Sequence, residues 1–360
     1  MIPAHGDQRV EDPWEAIEAC YDAGWTDGLP VVPPTEALVA AMLAAGVWAP
    51  DDVLLDDPWR GLAVTARKAA VNAVMAGCRP EYFPVVGAAV QAMGEPAFEL
   101  HAVAASTGGA AVLIAVNGPV REQLGIHCKE NLFGPGFRPN ATIGRTVRLV
   151  LRNCLMAIPG ALDKSTQGWP GKYAVCFGED EASCPWEPFH VSRGYRRSQS
   201  TVTIMAAESG HNVVNHASSD VAELLGTFAD SMAAFGSLSS GRSLIVFAPE
   251  HARKIAASGW TRTQVQEYLY EHAARSFADV KRGGKVEPAG FVEGYDPVWW
   301  MASDPTVRLG DEDILVRRGT GPDDIALMVG GGDAGGHSAF FPTWSRNRSV
   351  PLITREIIAP

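Results

Sequence analysis

At 360 residues, with 46% hydrophobic and 20% charged side chains, the chain has the composition of a folded globular protein rather than a disordered one. A formal charge of −11 gives no basic footprint, which argues against nucleic acid and anionic membrane surfaces as partners. Small anionic substrates stay open, because a few local Arg and Lys residues decide that question.

The length predicts about two domains or one large α/β unit. No apolar run reaches the roughly 20 residues of a membrane span, and the opening "MIPAHGDQRVEDPWE" is polar and acidic, unlike a secretory signal. Six scattered cysteines with no C-x-x-C pair read as the reduced thiols of a cytoplasmic protein.

In chain order, "PWEAIEACYDAGW" predicts a short amphipathic helix, and the prolines of "TDGLPVVPPT" fix an extended loop. "TEALVAAMLAAG" predicts a helix capped by Thr35 and closed by Gly46. Residues 1–60 are thus N-terminal helices and a proline-rich loop. Residues 61–160 form a first α/β half. It comprises the helix "TARKAAVNAVMAG" stopped by Gly77, a helix starting after Pro84, a buried strand in "GAAVLIAVNGP", and a helix capped by Asn140 that ends before Pro159.

Residues 161–360 form a second half, with strands in "KYAVCFGED" and "STVTIMAAES" and a helix in "DVAELLGTFADSMAAFG". The strand-turn-helix "RSLIVFAPEHARKIAASG" follows, then the helix "TRTQVQEYLYEHAARSF" and a strand running into the Gly-rich "GGGDAGGHSAFFP". "AVLIAVNGPVREQLG" and "SLIVFAPEHARKIAASG" echo one another as strand, proline-bearing turn and helix. The expected fold is α/β: two related halves with mixed sheets flanked by helices and a site in the crevice between them. The apolar helices of the first half point to a homo-oligomer.

The polar groups concentrate in "HCKENLFGPGFRPNATIGR", His127 to Arg145. Gly134 and Gly136 permit close backbone approach to a ligand, with Asn131 beside them. Asn140 as a cap would leave the N–H groups of Ala141, Thr142 and Ile143 at a helix start, where an anion is favoured, and Arg138 and Arg145 add charge. The bland alternative is an ordinary capped helix with exposed arginines. Cys128, flanked by His127 and Lys129, is a candidate low-pKa nucleophile.

Lys68 and Asn72, four apart on an apolar helix, share a face and read as site residues, unless Lys68 extends to the surface. His211 and His337 are the acid/base candidates. Lys172 in "GWPGKY" and Glu187 in "CPWEPFH" are candidate substrate contacts. His190, His211 and His216 form an alternative metal set, although their spacing is not that of a helical zinc site. No motif requires a cofactor. There is no phosphate loop and no nucleophile elbow.

Several segments together carry a resemblance: "TDGLPVVPPT", "RKAAVNAVMAGCRPEYFPVV", "FGPGFRPNATIGRTVRLVLRN", "PGKYAVCFGEDEASCPWEPFHVSRG", "VFAPEHARKIAASGW" and "GGHSAFFPTW". From about Asp27 to Trp344 the chain resembles an uncharacterised bacterial family, loosely described as thioredoxin-like and associated with UGSC-motif (seleno)proteins. The resemblance implies a thiol- or selenol-assisted reaction on a small molecule, such as breaking a carbon–heteroatom bond. This chain has no Cys-Gly-Ser-Cys sequence, so a UGSC-type thiol or selenol would come from a separate protein. The family's loop has small residues where His127, Cys128 and Lys129 stand here.

The expectation is therefore a lyase acting on a carboxylate-bearing molecule. Two alternatives stand beside it: a subunit presenting substrate to a thiol or selenol partner, and a His-ligated metallohydrolase.

Overall fold

The computed structural model describes residues 12–239, 241–283, 315–344 and 350–360; the polar opening, residues 1–11, lies outside them. Caps place the first helices. α1 (Pro13–Asp22) starts on Asp12, whose carboxylate accepts from Trp14 N, and α2 (Glu36–Ala44) starts on Thr35, whose hydroxyl accepts from Leu38 N. A β-hairpin that the sequence reading does not anticipate follows, β1 (Val53–Asp57) antiparallel to β2 (Leu62–Thr65). Thr65 then caps α3 (Ala66–Ala76), and Gly77 at φ +87° stops it, as its sequence predicts.

α4 (Phe83–Met93) is almost wholly buried. After α5 (Leu100–Ala105) comes β3 (Ala111–Asn117), apolar and buried along its whole length up to a closing Asn. α6 (Pro119–Gln123) leads to α7 (Arg138–Asn153), β4 (Cys176–Gly178), α8 (Phe189–Ser192) and β5 (Thr201–Ala207).

α7 corrects one expectation. Its cap is Phe137, without a side-chain hydrogen bond, and Asn140 lies inside the first turn. The fixed φ of Pro139 suits a helix start, so the helix begins before Asn140.

The chain continues through β6 (His211–Val214) and α9 (Val221–Met232), which is capped by Asp220. β7 (Ser243–Phe247), α10 (Pro249–Ala257) and α11 (Arg262–His272) follow, the last with a Thr261/Gln264 capping box. A small antiparallel pair, β8 (Ala274–Ser276) and β9 (Leu315–Arg317), is interrupted by α12 (Phe277–Arg282). β10 (Ile325–Val329), β11 (His337–Pro342) and β12 (Ile353–Glu356) close the chain.

The fold is α/β, with helices and mixed sheets in two compact units. One holds the chain up to Glu179 with His190–Ala206 and Leu352–Pro360; the other holds Asp180–Phe189 with Ala207–Pro351. The boundary expected at residue 160 falls inside the first unit, because β4 and β5 join the sheet of β3.

The first sheet runs β4-β3-β5-β12 and the second β10-β7-β11-β6. β3 is parallel to β4 and β7 to β10, whereas the outermost pairs β5/β12 and β11/β6 are antiparallel. The echoed segments thus hold the same place in two like-ordered sheets. That shared order is a likeness of topology; common descent of the halves is not shown by it. Among the described residues no helix is long and apolar enough to cross a membrane.

In the first unit the packing is tight enough to require glycine at particular positions. The Trp48 ring lies on Gly87 in α4, where an added Cβ would stand 2.2 Å from the ring. Gly87→Ala gains up to about 1 kcal/mol of helix propensity but meets a clash of the kind that costs about 1–3 kcal/mol. Urea unfolding of this variant is expected to show a net loss of about 1–2 kcal/mol; unchanged stability would mean that Trp48 moves freely.

Candidate functional site

Polar side chains gather where β3 and β4 end. Asn117 closes β3 and Glu179 follows β4; both are fully buried, and Asn117 Nδ2 donates to Glu179 Oε2 at 2.5 Å. Gly118 turns the chain at φ +83°, with a Cβ excluded by Gln199 O at 2.2 Å. Pro119 then starts α6, which brings Arg121 back over the strand ends.

The stem of Arg121 lies on Gly178, where a Cβ would come within 2.8 Å of it. Its Nη1 donates to Cys128 Sγ at 3.2 Å and its Nη2 to Glu122 Oε1 at 2.8 Å. Arg121 Nε is buried and has no hydrogen-bond partner among the described residues. A charge beside Cys128 thus comes from Arg121, seven residues back. The His127 ring stacks on Phe137 at 3.4 Å, and its Nε2 donates to Glu130 O at 2.6 Å.

Asn140 fixes this segment. Its Oδ1 accepts from His127 N at 2.9 Å, while Nδ2 donates to His127 O at 3.0 Å and to Cys176 O at 3.1 Å. A further bond runs from Gly178 N to His127 O. Asn140 is thus a clamp between the Cys128 segment and β4, where the sequence suggests a helix cap. Asn131, at φ 59°, braces its own loop by donating to Pro135 O at 2.8 Å.

The expected anion corner finds its partners inside the protein. Arg138 donates through Nε and Nη2 to Gly77 O, covering the end of α3, and Thr142 donates to Arg138 O. Arg145 grips Asp27 with two bonds, Nε at 2.9 Å and Nη2 at 2.7 Å, and also reaches Leu29 O. Burial alone would raise the Asp27 carboxyl. The Arg145 hydrogen bond and charge outweigh that, with the Leu29 backbone, and hold it below its ordinary value.

Lys68 and Asn72 part company. Lys68 is exposed and donates to Ala63 O at 2.6 Å, whereas Asn72 is fully buried and accepts from Asn153 Nδ2 at 2.8 Å. Lys172 joins a polar knot, donating to Asp163 Oδ2 at 2.7 Å and to Ser165 Oγ at 2.6 Å, with Arg148 on the same carboxylate at 3.0 Å. Burial pulls the Lys172 ammonium below its ordinary value despite Asp163. Asp163, which burial alone would raise, is held far below the carboxylate range by bonds from Lys172 and Ser165. Glu187 is exposed, and its carbonyl accepts from Arg262.

A second cluster stands where β7 and β10 end. His251 is fully buried, with Nε2 2.8 Å from Asn215 O and Nδ1 2.7 Å from Ser338 Oγ. A carbonyl only accepts, so Nε2 carries the proton and the Ser338 hydroxyl donates to Nδ1. Ala248 N donates to the same hydroxyl. Burial lowers the pKa of His251.

Gly336 N donates to His216 Nδ1 at 3.2 Å. The His216 Nε2 stands 3.3 Å from His337 Nε2, and Asn212 Nδ2 stands 3.3 Å from His337 Nδ1. His211 is exposed, tilted against Phe340, and lowered in pKa by burial and by the charge of Arg318. Among the described residues no group of three or more His, Cys, Asp or Glu is placed to hold a metal ion. His190, His211 and His216 do not make such a set, and His190 is fully buried.

The sequence reading missed Asn117, Arg121, Glu179, Asn215 and His251. A signal was present for some of them: β3 is apolar until Asn117 ends it, and Arg121 and His251 each stand two residues after a proline that opens a helix. Each cluster is built within one unit. Compared with known protein families, curated proteins and solved structures, the chain matches none of them.

The Asp27–Arg145 pair is testable by pH. A carboxyl lowered on folding adds stability above its unfolded pKa of about 4, and that stability is lost as pH falls through the lower folded value. Asp27→Asn is expected to destabilise by about 3 kcal/mol at pH 7, with the difference from the parent shrinking as pH drops below about 4. A pH-independent difference in chemical unfolding would show that the pair's charge is not what counts.

Proposed function

We propose that the protein is a small-molecule enzyme whose chemistry runs through Cys128, a lyase-type reaction on a carboxylate-bearing substrate. The carrying observation is the Arg121 guanidinium, buried, donating to Cys128 Sγ at 3.2 Å. A guanidinium beside sulfur favours the thiolate, which is the nucleophilic form. Arg121 also keeps a buried donor, Nε, that no group among the described residues uses, as an anchor for the anionic end of a substrate. Glu179, held by Asn117, is the proton carrier of this reading. The cluster lies at the carboxyl ends of a parallel strand pair, where open α/β sheets place ligands.

The resemblance to the UGSC-associated family agrees with thiol chemistry on a small molecule. A reducing, cytoplasmic setting belongs to the same reading, supported by six free cysteines, five of them buried.

Limiting iodoacetamide at neutral pH, read by peptide mass spectrometry, tests this. Burial raises the thiols of Cys20, Cys78 and Cys176, and that of Cys154 to about 11. Cys128 is expected to label before all four, and Arg121→Met to slow it about tenfold while circular dichroism stays unchanged. Labelling no faster than at the buried four, or an Arg121→Met rate equal to the parent's, would overturn the thiolate assignment. Once a substrate is in hand, full turnover by Cys128→Ser would favour the substrate-presenting alternative.

A further inference from the structure

We infer that a second site, separate from Cys128, binds a small organic ammonium ion. A cavity of about 390 Å³ opens between the hairpin β1–β2 and the stretch joining α4 to α5. That size suits a small ligand. Leu55, Met93 and Leu100 supply apolar walls, and Trp59 stands at the rim with 89% of its surface exposed. An indole so exposed gains little for the fold, whereas its face attracts a cation.

The charge of the lining selects the ligand. Four carboxylates line the cavity, with no lysine or arginine among its lining residues; His101 is the basic group there. Asp57 is bound to Arg60 at 2.7 Å and Glu95 to Arg355 at 2.9 Å. Asp56 and Glu99 are exposed and make no side-chain hydrogen bond or ion pair among the described residues. An apolar wall, an open indole face and two uncompensated carboxylates fit an alkylammonium or quaternary ammonium group on an apolar body. A bare metal ion fits poorly, since no three metal-ligating side chains converge among the described residues.

Titration calorimetry of the whole protein with hexylammonium, against 1-hexanol and hexanoate, tests the assignment. Hexylammonium is expected to bind one to one with a dissociation constant near or below about 1 mM, and hexanol and hexanoate at least about tenfold more weakly. Trp59→Ala, and separately the pair Asp56→Asn with Glu99→Gln, should each weaken it about tenfold. These side chains are exposed, so folding is not at stake, and Cys128 labelling should be the same in each variant. No saturable heat up to about 10 mM, equal binding of hexanol, or unchanged affinity in the variants would each overturn the proposal.

Discussion

A parallel strand pair covered on both faces has no room for polar side chains along its length, and this constraint places both polar clusters. β3, β4, β7 and β10 are buried at every position, so their backbone groups are satisfied by the ladder and their interior side chains are apolar or small. Polar chemistry is admitted only where the strands end. Asn117 and Glu179 occupy that level in the first unit, and Ser338 with His251 in the second.

The same turn serves both ends. A proline starts the next helix directly, Pro119 in α6 and Pro249 in α10, and its missing N–H removes a donor that would otherwise need a partner. Two residues on, the side chain turns back toward the strand ends, as Arg121 toward Cys128 and His251 toward Ser338. The two sheets share their order, although in the first the outermost strand is β12, from the end of the chain, and in the second it is β6, which comes before the sheet's other strands. A chain-order reading of halves fails for that reason: the second unit is completed before the first.

Local signals were therefore legible and distant ones were not. Thr35 at the start of α2 and Gly77 at the end of α3 mark helix limits locally in the sequence, and the structure keeps them. The hairpin β1–β2 left no such signal, because its strands are short and only partly buried. Polar residues on apolar helices stand out in a sequence, but the sequence does not say what answers them. Asn72 is answered by Asn153, Arg138 by Gly77 O and Arg145 by Asp27, each partner more than 60 residues away. Such residues bind the fold together over distances that pattern reading does not span.

Two arginines near Cys128 in sequence differ in what balances them. Arg145 faces a buried carboxylate in a two-bond grip, so its charge is met inside the protein. Arg121 faces Glu122, a carboxylate with 78% of its side chain exposed, and such surface pairs contribute no more than about 1 kcal/mol. A buried cation whose carboxylate partner is largely screened by water looks inward for the rest of its balance, and inward lies Cys128. Asn140 holds the backbone on which that thiol sits, through three hydrogen bonds from one amide. The stretch from His127 to Arg145 thus acts as a frame for the sulfur, and the Arg121 guanidinium that donates to it comes from outside the stretch.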